Sequence, residues 1–251
     1  MTRAHLLFIG LLLAASLSGG REPTRGAEAG PDCRVPADLI ATDQRLPALA
    51  RRFDEKQPVT IVVLGGASTA GTAAGGDGQK AYPHYLEAAL RQRHKGAPIS
   101  VLNKGVARQT ASEMIARFAK DVYANEPALV LWETGTVDAV RGTDLDEFAT
   151  SLVDGVEALK QRGYEIILID MQFNPSIVSV INFEPYLDAL HRTADLEDIY
   201  LFKRFDIMKY WSEAGIFDFV NADRENRTTL AEQVYQCLGE GLADAIDAAT
   251  Q

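Results

Sequence analysis

From residue 59 onward, continuous apolar runs alternate with stretches in which apolar residues recur every three or four positions. The runs are VTIVVL at 59–64, ISVL at 99–102, ALVLW at 128–132, EIILI at 165–169 and IYLF at 199–202. They are too short for helices and rich in β-branched and aromatic residues, so they read as five strands buried on both faces. Helical periodicity covers 82–94, 111–123, 145–162, 183–194 and 228–248. Continuous apolar strands separated by amphipathic helices predict a parallel five-stranded sheet covered on both sides, an α/β three-layer sandwich. Ligands in such folds gather at the carboxyl ends of the strands. The polar and glycine-rich loops fall there: GGASTAG at 65–71, NKG at 103–105, ETGTVD at 133–138 and DMQFNP at 170–175.

Ahead of this region the pattern changes. Arg3 precedes an apolar run over 6–15, and a stretch of mostly small residues follows over 16–20. That is the layout of an export signal, and the run is shorter than the ~20 apolar residues a membrane helix needs. The expectation is a signal peptide and arm at 1–29, a lead-in at 30–58 with a short helix over 46–53, and one domain at 59–251. Removal of the signal near Gly20 or after Ala29 leaves no membrane span and no lipid anchor, and the compartment is periplasmic or extracellular. Cys33 and Cys237 are the only cysteines. An oxidising compartment favours a disulfide between them, with two unpaired thiols as the alternative. No histidine cluster lies near them, so no metal site is expected, and no cofactor.

Composition narrows the partners. The 251 residues are 47% hydrophobic and 24% charged, ordinary for one globular domain, and the formal net charge is -10. Nucleic-acid binding draws on clustered cations that release counterions, so this chain is not expected to bind nucleic acid. The glycine-rich turn at 65–71 lacks GxGxxG spacing and a Gly-Lys-Ser/Thr ending, which argues against a nucleotide. A serine in a tight, glycine-flanked turn after a strand can instead present its hydroxyl at the sheet edge beside backbone N–H groups. Ser68 is in that position. It can equally cap the segment that follows.

Four motifs taken in order decide between these. Gly66-Ala67-Ser68 follows the first strand, Gly105 the second, Gly135-Thr136-Val137-Asp138 the third, and Asp218-Phe219-Val220-Asn221 precedes the last helix. In order and spacing the chain resembles the SGNH (GDSL-like) hydrolases over about residues 59 to 248. The resemblance implies a flavodoxin-like SGNH fold, ester hydrolysis with Ser68 as nucleophile, Gly105 in the second motif, and Asp218 as the triad aspartate. Two positions depart from the family pattern. Val137 stands where the family has the oxyanion asparagine, and Asn221 where it has the general-base histidine. Valine donates no hydrogen bond, and an amide has no useful basicity near neutral pH. Losing one oxyanion donor costs about a hundred- to a thousandfold. Losing the base histidine of a serine triad costs on the order of a millionfold, and the two losses do not multiply.

Replacement bases are few. His84 lies nearest in sequence to Ser68, while His94 and His191 are expected at helix ends facing solvent. Glu133 and Asp218 become weak bases if burial raises their pKa values. Gln172 and Asn174 either bind a polar substrate or cap their loop. Trp132 is expected in the core; Trp211, Phe217 and Phe219 line a cleft or pack inside. Three functions remain open: a weak serine esterase or deacetylase acting on a small-molecule, glycan or lipid ester of the cell envelope, a catalytically inactive relative that binds a glycan or acylated ligand, and a structural envelope protein.

Overall fold

Parallel strands need crossovers, and here every crossover contains helix. The structure, a computed structural model, describes residues 31–223 and 225–251 together with Met1; the expected signal segment lies outside the described residues. The strands are β1 (Val59–Gly65), β2 (Ile99–Gly105), β3 (Leu129–Glu133), β4 (Glu165–Ile169) and β5 (Tyr200–Phe202). They form one parallel sheet in the order β2-β1-β3-β4-β5, as expected for a doubly wound fold. The chain order reverses direction at β1, so the loops after β1 and β3 open side by side at the carboxyl edge.

The helices are α1 (Pro47–Asp54), α2 (Tyr82–Arg93), α3 (Ala111–Ile115), α4 (Phe118–Asp121), α5 (Thr136–Arg141), α6 (Leu145–Lys160), α7 (Pro175–Val178), α8 (Glu184–Leu196), α9 (Arg204–Glu213) and α10 (Arg227–Ala249). Alternation along β1 divides the core. Ile61 and Val63 face a cluster with Leu49 of α1, Leu86 of α2, Trp211 of α9 and Leu242 of α10. Val62 and Leu64 face the other, with Phe118 of α4, Leu152 of α6 and Leu190 of α8. The sandwich has the three layers that the pattern implied.

Several boundaries differ from the sequence reading. The helix expected over 111–123 breaks into α3 and α4 around Ala116 and Arg117. Helix α9 is not among the elements expected from the sequence, because charged residues interrupt its apolar spacing. β2 runs on to Gly105 and β3 to Glu133, so these two residues end strands and do not belong to loops. Trp211 is 1% exposed and edge-on to Phe217, so both belong to the core and not to a cleft wall.

The lead-in is tied to the domain. Cys33 and Cys237 form the expected disulfide, with Cα atoms 5.0 Å apart across 204 residues of sequence. The Glu165 carboxylate accepts from the N–H groups of Ala48 and Leu49 at 2.7 and 2.9 Å, satisfying the start of α1. Among the described residues no helix is long and apolar enough to cross a membrane.

Candidate active site

The site is built on glycines that admit close contacts. A Cβ at Gly65 would lie 2.0 Å from Thr69 Oγ1 and 2.9 Å from Glu133 Oε2. Gly105 would place one 2.3 Å from the Ala70 nitrogen and 2.6 Å from the Thr69 carbonyl carbon. The turn carrying Ser68 is therefore pressed against the ends of β1 and β2. Asn103 reinforces it, donating from Nδ2 to the Thr69 carbonyl at 2.7 Å and accepting the Gly105 N–H at 2.9 Å. The Gly105 N–H is thereby committed to Asn103 and not to Ser68.

Ser68 is buried at 5% exposure, and the short helical turn that follows at Thr72–Ala74 is capped by Gly71 and not by Ser68. Its hydroxyl donates to Glu133 Oε2 at 2.8 Å, and its oxygen accepts from Arg204 Nη1 at 2.9 Å. Arg204 Nη2 lies 3.3 Å from Glu133 Oε1. Thr69 also donates to Glu133 Oε2, and shares a 2.7 Å hydrogen bond with the Tyr82 hydroxyl. Burial by itself pushes the Glu133 carboxyl up. The Arg204 charge, with hydrogen bonds from Thr69, Ser68 and Arg204, outweighs it and brings the group below the usual carboxylate range. Glu133 is thus an ionised, buried carboxylate touching the serine. Burial pushes the neighbouring Tyr82 hydroxyl well up, the Glu133 charge adding to it.

Beside Ser68 lies a cavity of about 50 Å³, lined by Gln109, Thr134, Thr136, Val137 and Gln172 among others. Such a space holds a group of a few heavy atoms. The hydroxyls of Thr134 and Thr136 are buried and have no hydrogen-bond partner among the described residues. Asp138, next to Val137, is buried and accepts the Ala111 N–H at 3.1 Å, pinning the loop before α3. Gln172 also lines a groove of about 420 Å³ with Phe173, Asn174, Phe219, Arg227 and Tyr235.

Of the expected residues Ser68, Gly105, Val137, Asp218 and Asn221, two line the small cavity and none lines the larger groove. Ser68 and Val137 share the small cavity, and Gly105 packs against the turn behind it. Asp218 and Asn221 are exposed and bond to each other: Asp218 accepts the Asn221 N–H at 2.8 Å and its side-chain amide at 2.9 Å. These bonds, led by the backbone one, hold the Asp218 carboxyl below its ordinary value. Their chain neighbours Phe219, Val220 and Ala222 line the larger groove. Neither residue is among the hydrogen-bond partners of Ser68.

The histidines also find partners. His84 is exposed and edge-on to Tyr85. His94 ends α2, stacks on Phe53 at 3.7 Å and meets Asp247 at 2.8 Å. His191 sits within α8, not at its solvated end, with Nε2 3.8 Å from buried Asp170. Asn174 caps α7, accepting from the N–H groups of Ser176 and Ile177 at 3.0 and 3.3 Å. Trp132 is buried in the core, its N–H on Met114 Sδ at 3.4 Å. Sequence reasoning passed over Arg204, Thr69, Tyr82, Thr134 and Thr136. Thr69, Thr134 and Thr136 lie in the loops that the sequence places at the carboxyl edge, whereas Arg204 and Tyr82 left no local signal.

A search of curated proteins finds no match. Among solved structures, a single-residue variant of the esterase AlinE4 is 26% identical with a TM-score of 0.53, over 66% of this chain and 85% of that one. TesA is 22% identical, with a TM-score of 0.54 over 71% and 97%. A catalytic variant of Axe2, an acetylxylan esterase from Geobacillus stearothermophilus, is 19% identical, with a TM-score of 0.54 over 72% and 94%. AlinE4 is described as an SGNH-hydrolase family esterase, and the shared sheet and helices put this fold with the SGNH hydrolases. The model of the Non-GDSL lipase-like family matches residues 32–251, nearly the whole chain, and the protein therefore belongs to that family of esterase- and lipase-like hydrolases.

Proposed function

We propose that the protein is a slow serine esterase for small acyl groups, with Ser68 as nucleophile and Glu133 as proton acceptor. The observation that carries this is the 2.8 Å hydrogen bond from the Ser68 hydroxyl to a buried, ionised carboxylate at the carboxyl edge of the sheet. Ser68 Oγ attacks the ester carbonyl as its proton passes to Glu133 Oε2. Thr134 and Thr136 line the same cavity, and their buried hydroxyls, without a partner among the described residues, are the candidate donors to the oxyanion, a role that Val137 cannot fill. The proton returns to the departing alkoxide, and water repeats the sequence on the acyl-enzyme. A cavity of about 50 Å³ suits an acetyl group. The groove of about 420 Å³, with its aromatic wall and Asn174, Gln172 and Arg227, suits a sugar-like or other polar-faced alcohol. An apolar leader and a disulfide favour action in the periplasm or outside the cell, on an acetylated envelope carbohydrate or lipid ester.

Slowness follows from the base. A carboxylate held below its usual range is far from the working pH and accepts a proton poorly. A second reading, an inactive relative that binds an acylated ligand, is favoured by the Arg204 bond to Ser68 Oγ, which engages one of its two lone pairs with a cation and lowers its nucleophilicity. Labelling by a small fluorophosphonate and hydrolysis of an aryl acetate separate the two readings. Slow turnover lost in both Ser68→Ala and Glu133→Gln supports the esterase. No labelling or turnover above Ser68→Ala supports the binder. Acceleration by Asn221→His with no effect of Glu133→Gln would move the base to the Asp218 loop instead.

A further inference from the structure

The charges around Ser68 do not stop at Arg204. Asp170, fully buried just after β4, accepts the N–H of Phe205 on Oδ1 at 2.8 Å, so it sits at the same helix start as Arg204. Its other oxygen, Oδ2, has no hydrogen-bond partner among the described residues, and neither has Arg204 Nε. His191 lies 3.8 Å from Oδ2 with a half-exposed side chain. It reaches the surface in a cleft of about 470 Å³ at the open edge of β5. Glu133, Arg204, Asp170 and His191 thus form a line of ionisable groups from the buried serine to solvent.

We propose that His191 is a positioning residue for the Ser68 cluster, its charge transmitted through Asp170 and Arg204 to Glu133. Glu133 meets the Arg204 guanidinium at 3.3 Å, while Asp170, held by the Phe205 N–H, acts on Arg204 through the field of its charge. Burial pushes the Asp170 carboxyl up against the His191 contact, the Phe205 N–H and the Arg204 charge, and a protonated His191 supplies the second cation that keeps it ionised. When His191 loses its proton with Asp170 still ionised, Arg204 is the one cation left to offset both carboxylates and the line carries one net negative charge. Glu133 is then less stabilised as an anion, and its affinity for the Ser68 proton rises. Other groups around His191 leave this balance in place. Asp206 and Lys203 at the start of α9 act on it in opposite directions. Asp43 of the lead-in and Asp195 of α8 line the cleft, and Tyr200 is engaged by its hydroxyl with the Ile40 carbonyl at 2.6 Å. The Asp170 ion pair, opposed by partial burial, raises the His191 value above the ordinary 6.5.

The effect on reactivity rests on the esterase reading; the coupling itself does not. NMR titration of the full domain should show one midpoint, above 6.5, in the His191 ring. The same midpoint should appear in the Glu133 carboxyl carbon and the Arg204 Nε–H of the wild type and be absent from both in His191→Gln. Wild-type Glu133 and Arg204 signals that are flat through the His191 midpoint would overturn the proposal. If Ser68 is reactive, its labelling at pH 6 should be at least about fivefold faster in His191→Gln, the low end of coupling between linked sites. Identical pH profiles for the two proteins would overturn the coupling to reactivity. Absence of labelling would defeat the esterase reading and leave the NMR result to decide the coupling.

Discussion

Replacing Arg204 by methionine tests the electrostatic account of the site most directly. Arg204 is 1% exposed and Glu133 4%, and their charged atoms are 3.3 Å apart. At an effective dielectric of about 20, that separation corresponds to a pair attraction of about 5 kcal/mol. Removing one member of a buried pair typically costs about 3–5 kcal/mol, because the other charge stays buried without compensation. That is a fifth or more of the stability of an ordinary domain. The pH dependence should also change sign. In the wild type the folded Glu133 value is depressed, so its contribution is present above the unfolded value and lost as pH falls through the folded one. In Arg204→Met, burial dominates and raises the folded value. Stability from this group is then present below the unfolded value and lost as pH rises through the folded one. Urea unfolding between pH 4 and 8, disulfide intact, measures both effects. Adding Glu133→Gln should recover at least about 1 kcal/mol near pH 7, since the residual charge is gone. A cost under about 1 kcal/mol with an unchanged pH slope would refute this electrostatic account.

Other expectations follow from the same contacts. Gly105→Ala drives a methyl into the backbone of Thr69 and Ala70, which cannot swing aside as a side chain can; about 1–3 kcal/mol of destabilisation should accompany a displaced Ser68 turn, read by unfolding and probe labelling. Reducing Cys33–Cys237 opens a loop spanning 204 residues; by the chain-entropy relation this removes on the order of 5 kcal/mol, or roughly 10–20 °C in Tm, and a change below about 2 °C would contradict it. Thr134→Val with Thr136→Val should lower aryl acetate turnover by at least about tenfold while leaving the fold intact, if these hydroxyls hold the oxyanion; unchanged turnover would remove them from that role.

Short apolar runs separated by helical periodicity suffice for a parallel sandwich, because a strand buried on both faces has no polar alternation to display. For the same reason the turn at Ser68 was visible: glycine on both sides of a serine after a strand marks a close approach of backbone. The disulfide was visible because two cysteines allow only one pairing. Partner choice across the sheet was not. Ser68 meets Glu133 because β1 and β3 are neighbours, and neighbour order is a property of the fold and not of sequence distance. Arg204 lies 136 residues from Ser68, and nothing local distinguishes it from a surface cation at the start of a helix. Burial decided the Glu133 charge state jointly with Arg204, which no local pattern encodes. His191 looked like a solvated helix residue until β4 brought Asp170 beside it. The Asp218–Asn221 motif was legible as spacing, but its exposure, and its contacts with itself, came from how the segment before α10 packs on the tertiary structure.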